Sequence, residues 1–215
     1  MSSNSALLSD PSSGTIGATP PPTSTLPPAH SRLELVQRVL GSNDELNDCL
    51  ECAVYNAIAT KKGLAASDFI KIPESAPIRL YSSVSGFNPD DPSTDVGTTV
   101  SGMFSYWNSN PIDGWILSSY TPIDPADSYS IRNTIIDPTY GGVLLVLNLS
   151  DSQRNQIVWS EAGIPGSWGP HAVWLDQYSG SEYCSTSWGL PKWLSQDFFD
   201  GSYVVGAYSM LLSQA

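Results

Sequence analysis

The chain has 215 residues with 40% apolar content, enough to bury one core of ordinary size. Nine basic against 21 acidic residues give a net charge of -12, which repels phosphate backbones and anionic lipid heads and argues against a nucleic-acid partner. The longest apolar run, Val143 to Leu147, is far too short to span a bilayer, so no membrane span is expected. The three cysteines suit thiols kept in a reducing compartment better than a disulfide framework.

Residues 1–30 are built from Ser, Pro, Thr, Gly and Ala, with Thr19-Pro20-Pro21-Pro22-Thr23 and Leu26-Pro27-Pro28. They carry neither a basic n-region nor an apolar h-region, so export by the usual route is not expected. With so little apolar mass, the segment reads as an extended, partly polyproline-like arm ahead of a domain over 31–215. A neighbouring subunit is the simplest partner to hold such an arm in place.

The spacing Ser31-Arg32-Leu33-Glu34 predicts a capping box, with Leu33, Val36 and Leu40 on one helical stripe ended by Gly41. A second helix begins near Asp48, runs through Ala53, Val54, Ala57 and Ile58, and meets the breaker Lys61-Lys62-Gly63. Being apolar nearly all round, it reads as buried. Residues 78–94 alternate and then turn through Pro89 and Pro92, after which Val96, Val100, Met103, Phe104 and Trp107 recur at helical spacing. Trp115-Ile116-Leu117 predicts a strand, Ser128 to Ile136 a helix and Gly142 to Leu149 a buried strand. Strands follow over His171–Tyr178, Glu182–Trp188 and Tyr203–Leu212, with a short helix through Pro191 to Phe199. The layout is α+β, with helices in the first half and an antiparallel sheet in the second.

Three placements carry chemistry. Cys49 falls at a helix N-terminus, where the macrodipole and a nearby imidazolium would favour the thiolate. His171 opens an apolar strand and can act as its base, oriented by Thr186 near the end of the following strand. Asn43 carries an amide, six residues before the cysteine, that with the Cys49 N-H can stabilise an oxyanion. The acidic Asp44, Asp48 and Glu51 oppose thiolate formation. Cys52 reads as core. The spacing Cys49-x-x-Cys52 lacks the preceding strand of a redox motif, and Cys49, Cys52, Cys184 and His171 lack paired zinc-ligand spacing, so no metal or cofactor is expected. Trp107, Trp168 and Trp188 fit either a substrate groove or packing.

The stretch Asn43-Asp44-Glu45-Leu46-Asn47-Asp48-Cys49 resembles the opening of the nucleophile helix in papain-like cysteine peptidases, especially the short phage and bacterial type. The likeness extends through Leu80-Tyr81-Ser82, Gly86-Phe87-Asn88-Pro89, Pro92-Ser93-Thr94-Asp95-Val96-Gly97, Trp168-Gly169-Pro170-His171-Ala172-Val173 and Ser187-Trp188-Gly189, covering about residues 40–212. Two positions depart from the pattern: Asn47 stands where Gly is usual, and Thr186 where Asn is usual. The resemblance implies a papain-like fold, its buried nucleophile helix packed on an antiparallel sheet. It further implies Cys49 as nucleophile, His171 as base, Asn43 as oxyanion donor, and a peptide or protein substrate. The expected setting is a phage-encoded hydrolase made in the host cytoplasm, with carriage in the virion as one outcome. The alternative is an inert virion building block, a head decoration or tail-associated protein whose arm, residues 1–30, clasps other virion or assembly subunits.

Overall fold

The computed structural model describes residues 25–32 and 41–215. The helix expected over Leu33–Leu40 lies outside the described residues.

A two-residue strand, β1 (Ala29–His30), precedes the buried helix α1 (Cys49–Ala66). Every residue of α1 from Cys49 to Thr60 is buried, as its apolar circumference predicts. The helix runs through Lys61-Lys62-Gly63 to a left-handed cap at Ser67, so this glycine does not break it. Next comes α2 (Ser75–Ser85), a helix that takes in the first part of the stretch 78–94, which the sequence reads as alternating. Its buried residues are Ala76, Pro77, Leu80 and Tyr81, a three-to-four spacing that packs on α1 once the helix forms. Gly86, at a φ of 80°, ends it with a bond to the Ser82 carbonyl. Then α3 (Val100–Ser109) is capped by Thr99, whose hydroxyl accepts from the Gly102 N-H; Val96 precedes the helix and is exposed.

From there strands dominate: β2 (Trp115–Ile123), then α4 (Ser128–Ile136), β3 (Val143–Leu149), the short β4 (Val158–Trp159), β5 (Gly169–Ser179), β6 (Glu182–Ser187), β7 (Leu190–Leu194), α5 (Gln196–Asp200) and β8 (Val204–Gln214). The helix expected from Pro191 onward is a strand over Leu190–Leu194 and a helix only from Gln196, started by the Ser195 cap. The strands form one sheet in the order β2-β8-β3-β5-β6-β7-β4, with β1 beside β5. All pairs are antiparallel except β4 with β7.

Both faces of the central strands are covered, which explains their nearly unbroken apolar runs. Leu144, Val146, Ala172 and Trp174 join α1, α2 and α3 in one core, which includes Cys49. Their alternating neighbours Leu145, Leu147, Val173 and Leu175 join Trp159, α4 and Phe198 in a second. The folded unit also reaches N-terminally of Ser31. Tyr178 donates to the Pro27 carbonyl at 3.0 Å, the Gly180 N-H to Pro28, and Ala29–His30 pair with Ser179 and Tyr178. Buried Arg32 then donates to the carbonyls of Gly141, Ile135 and Ile136, satisfying the C-terminal end of α4.

Candidate active site

Cys49 is the first residue of α1, where the initial N-H groups have no intrahelical partner. The loop leading to it, 41–48, is shaped by positive φ at Gly41 and Ser42. A Cβ on Gly41 would lie 2.7 Å from the Cys52 sulfur and 3.0 Å from Pro77, so both conformation and space demand glycine there. The loop is tied to the segment before α3. Asp95 accepts from the Asn47 N-H at 3.0 Å and from the Tyr81 hydroxyl at 2.7 Å, and the same hydroxyl accepts from the Gly97 N-H at 2.7 Å. The Asn47 side chain donates to the Asp95 carbonyl at 3.0 Å, a use for the residue that departs from the family pattern. The Tyr81 and Thr94-Asp95-Val96-Gly97 motifs thus brace the loop before the thiol.

The thiol is 7% exposed, and its sulfur faces the N-H of the peptide joining His171 to Ala172, together with the Leu50 N-H. The sulfur thus lies at Ala172, on the α1 side of the sheet, whereas His171, opposite Leu147 and alternating with Ala172, turns its ring to the other side, so the structure does not bring the thiol and the imidazole into contact. The imidazole is 1% exposed and its Nε2 lies 2.7 Å from the Ser187 hydroxyl. Trp188 stacks on the ring at 5.1 Å and 28°, while Trp159 and Trp168 meet it edge-on at 6.0 and 5.8 Å. Nδ1 makes no hydrogen bond among the described residues, and no hydrogen bond joins the ring to the thiol. Asn43 is 9% exposed, and its carboxamide makes no hydrogen bond to the described residues.

Thr186 does not meet the histidine. Its register partner on β5 is Trp174, which belongs to the α1 side of the sheet, and the hydroxyl that reaches the ring belongs to the next residue, Ser187. Ser187 sits at the mouth of a two-residue hairpin whose central residues, Trp188 and Gly189, both take positive φ, at 52° and 68°. That is the requirement of a type I′ turn, and it costs a non-glycine residue about 1 kcal/mol or more. The strained turn turns Trp188 onto the imidazole.

Burial dominates the electrostatics. The thiol is pushed up to about 12, chiefly by desolvation, against its ordinary 9.0. Three units amount to about 4 kcal/mol, well above the ~1 kcal/mol of a helix dipole, so the thiolate expected from the helix terminus gives way to a neutral thiol. His171 is lowered to about 3 by desolvation and by the Lys192 charge, so it too is neutral at pH 7. Asp48 and Glu51, both fully buried, rise to about 8 and about 7 by desolvation, with the Glu51 charge adding to the Asp48 shift. Glu51 accepts from the Thr98 hydroxyl at 2.5 Å. Of the three acids expected to oppose the thiolate, Asp48 and Glu51 are buried and close to half protonated or more, and their charges do raise the thiol further, while Asp44 is exposed.

Ser187, Tyr81, Asp95 and Lys192 are absent from the residues singled out in the sequence as site members. For Ser187 the signal was present, since Ser-Trp-Gly was recognised, but the residue before it took the role.

No protein-family model matches the chain, and no curated protein matches it. Among solved structures it is similar to xylellain, a cysteine protease from Xylella fastidiosa, with a TM-score of 0.68 and 10% identity over 97% of this chain and 96% of that one. It is similar to the clostridial cysteine protease Cwp84 after propeptide cleavage, with a TM-score of 0.60 and 13% identity over 87% of this chain and 58% of that one. This chain thus spans little more than half of that Cwp84 chain. Digestive procathepsin L 3 from Tenebrio molitor gives a TM-score of 0.63 at 12% identity, over 88% of this chain and 71% of that one. At such identities the likeness concerns architecture: the chain has the papain-like α+β fold of these cysteine proteases, its buried helix beginning at Cys49 and packed on the sheet.

Proposed function

We propose that the chain is a papain-like cysteine hydrolase that cleaves a peptide or isopeptide bond. One observation carries the reading: the Cys49 sulfur lies against the peptide N-H that follows His171, so a turn of the His171 ring from its place beside Ser187 and Trp188, where Nδ1 has no partner among the described residues, would bring the base to the thiol. In this reading sulfur attacks the carbonyl carbon as Nδ1 takes the thiol proton, so charge separates only as the bond forms. The developing oxyanion is met by the Cys49 N-H and the Asn43 carboxamide, which has no competing partner among the described residues. The imidazolium returns its proton to the leaving amine, giving a thioester and a neutral ring. Water, deprotonated by that ring, then releases the acid and restores the thiol. No metal or cofactor enters these steps.

A phage-encoded protein, made in the host cytoplasm and carried in the virion, is the setting that the sequence resemblance supports. Cleavage of a mixed peptide library, read by mass spectrometry, tests the activity. Wild type should generate fragments that a Cys49→Ala variant does not, and identical digests from the two would remove the hydrolase reading.

The second reading, an inert virion building block anchored through residues 1–30, draws on the near-complete burial of both Cys49 and His171. It predicts that deletion of residues 1–24 abolishes incorporation into particles, and unchanged incorporation counts against it.

A further inference from the structure

Lys192 is a charged residue only 7% exposed, on the strand that leaves the Trp188-Gly189 turn. Its register partner is Ser185, two residues before Ser187, so alternation places Lys192 on the face that carries the His171 contact. Its ammonium donates to the Gln156 carbonyl at 2.6 Å and lies 5.1 Å from the centre of the Trp188 ring and 6.0 Å from that of Trp159. Both indoles also contact His171, Trp188 by stacking and Trp159 edge-on. A buried ammonium with one carbonyl and two aromatic partners keeps its charge through those contacts and fixes the groups that supply them.

We propose that Lys192 is a positioning residue for His171, holding Trp188 as the wall against which the imidazole is aligned and supplying the cation that the ring faces when it takes a proton. The proposal rests on the reading of His171 as the base. On the ring's side of the sheet, the connection before β4 carries Arg154 over Trp168 at 5.9 Å, β6 carries Ser187 and β7 carries Lys192, while α1, with Cys49, Asp48 and Glu51, packs on the other side. Of the charges, only that of Lys192 acts on the imidazole, and it disfavours the imidazolium. The arrangement delays a second positive charge until the thiol proton arrives, and makes its return to the leaving group downhill.

The chain has two histidines, so ring resonances in an NMR titration are assignable with a single His30→Gln control. Lys192→Met should raise the His171 midpoint, about 3 in wild type, by about one pH unit, the size of one partly screened charge at this range. The acid limb of kcat/KM should move with it. Lys192→Arg, which keeps charge and stacking, should leave both within a few tenths of a unit on the scale of ordinary variation. An unshifted midpoint in Lys192→Met overturns the proposal. Should that variant not fold, Lys192→Gln, which keeps a donor for Gln156 and deletes the charge, must give the same rise, and no rise there overturns it equally. The titration needs no turnover, so an inactive wild type would sink the hydrolase reading while this comparison still decides the role of Lys192.

Discussion

The Ser187 hydroxyl sits 2.7 Å from His171 Nε2, in the place that the residue before Trp-Gly was expected to serve from position 186. Strand alternation explains the exchange. With Thr186 opposite Trp174, its side chain faces α1, and Ser187 necessarily turns to the other side, where the imidazole packs among three tryptophans.

Ser187→Ala should therefore lower kcat/KM by about tenfold, the effect of one lost hydrogen bond of about 1.4 kcal/mol to a buried ring. Thr186→Val should change it by no more than about twofold, because its hydroxyl orients nothing at the ring. Steady-state kinetics on a cleaved peptide separates the two. A larger loss from Thr186→Val than from Ser187→Ala would return the orienting role to Thr186.

The buried acids set a pH dependence of stability. Glu51 rises from an ordinary 4.5 to about 7 on folding, and Asp48 from 3.8 to about 8. The folded state thus holds protons that the unfolded chain has released, so their contribution is favourable at low pH and is lost as pH climbs from about 4 to 8. Glu51→Gln removes one such group and retains a partner for the Thr98 hydroxyl. It should stabilise the protein at pH 8 by about 1–3 kcal/mol and have little effect at pH 4.5, measured by urea denaturation at both values. Equal effects at the two pH values would show that Glu51 is not protonated in the fold.

Tyr81 joins the nucleophile loop to the segment before α3 through one hydroxyl that donates to Asp95 and accepts from Gly97. Tyr81→Phe leaves the ring packed and strands both partners, at a cost of about 1–3 kcal/mol. For a chain of this size the thermal midpoint should fall by roughly 3–10 °C. Scanning calorimetry checks this, and an unchanged midpoint would show that the brace carries no stability.

Much of the fold was legible because its signals are local. The all-round apolar helix at Cys49, the helix from Ser128 to Ile136 and the buried run of Val143–Leu149 follow from composition and period alone. Residues 75–85 misled because a short apolar alternation fits a strand as well as one face of a helix, and only packing on α1 decides. Pro191 was read as a helix start, although proline also suits the early part of a strand that leaves a tight turn. The site was legible as motif and not as facing. Which of Thr186 and Ser187 meets His171 depends on a register shift between Leu175 and Gln177 in the β5–β6 pair, and a bulge of that kind leaves no mark in one sequence. The protonation of the site was likewise hidden, since acidic residues beside a cysteine say nothing of whether water reaches them.

The most direct measurement is covalent labelling by a peptidyl vinyl sulfone, followed by peptide mapping of the three cysteines. The account predicts one adduct per chain, on Cys49 and not on Cys52 or Cys184, formed in wild type and lost in His171→Gln. All three thiols are buried and outside any disulfide, so simple exposure cannot produce that selectivity. Labelling of Cys49 that persists at the same rate without the imidazole, or no Cys49 adduct at all, would contradict a thiol activated by His171.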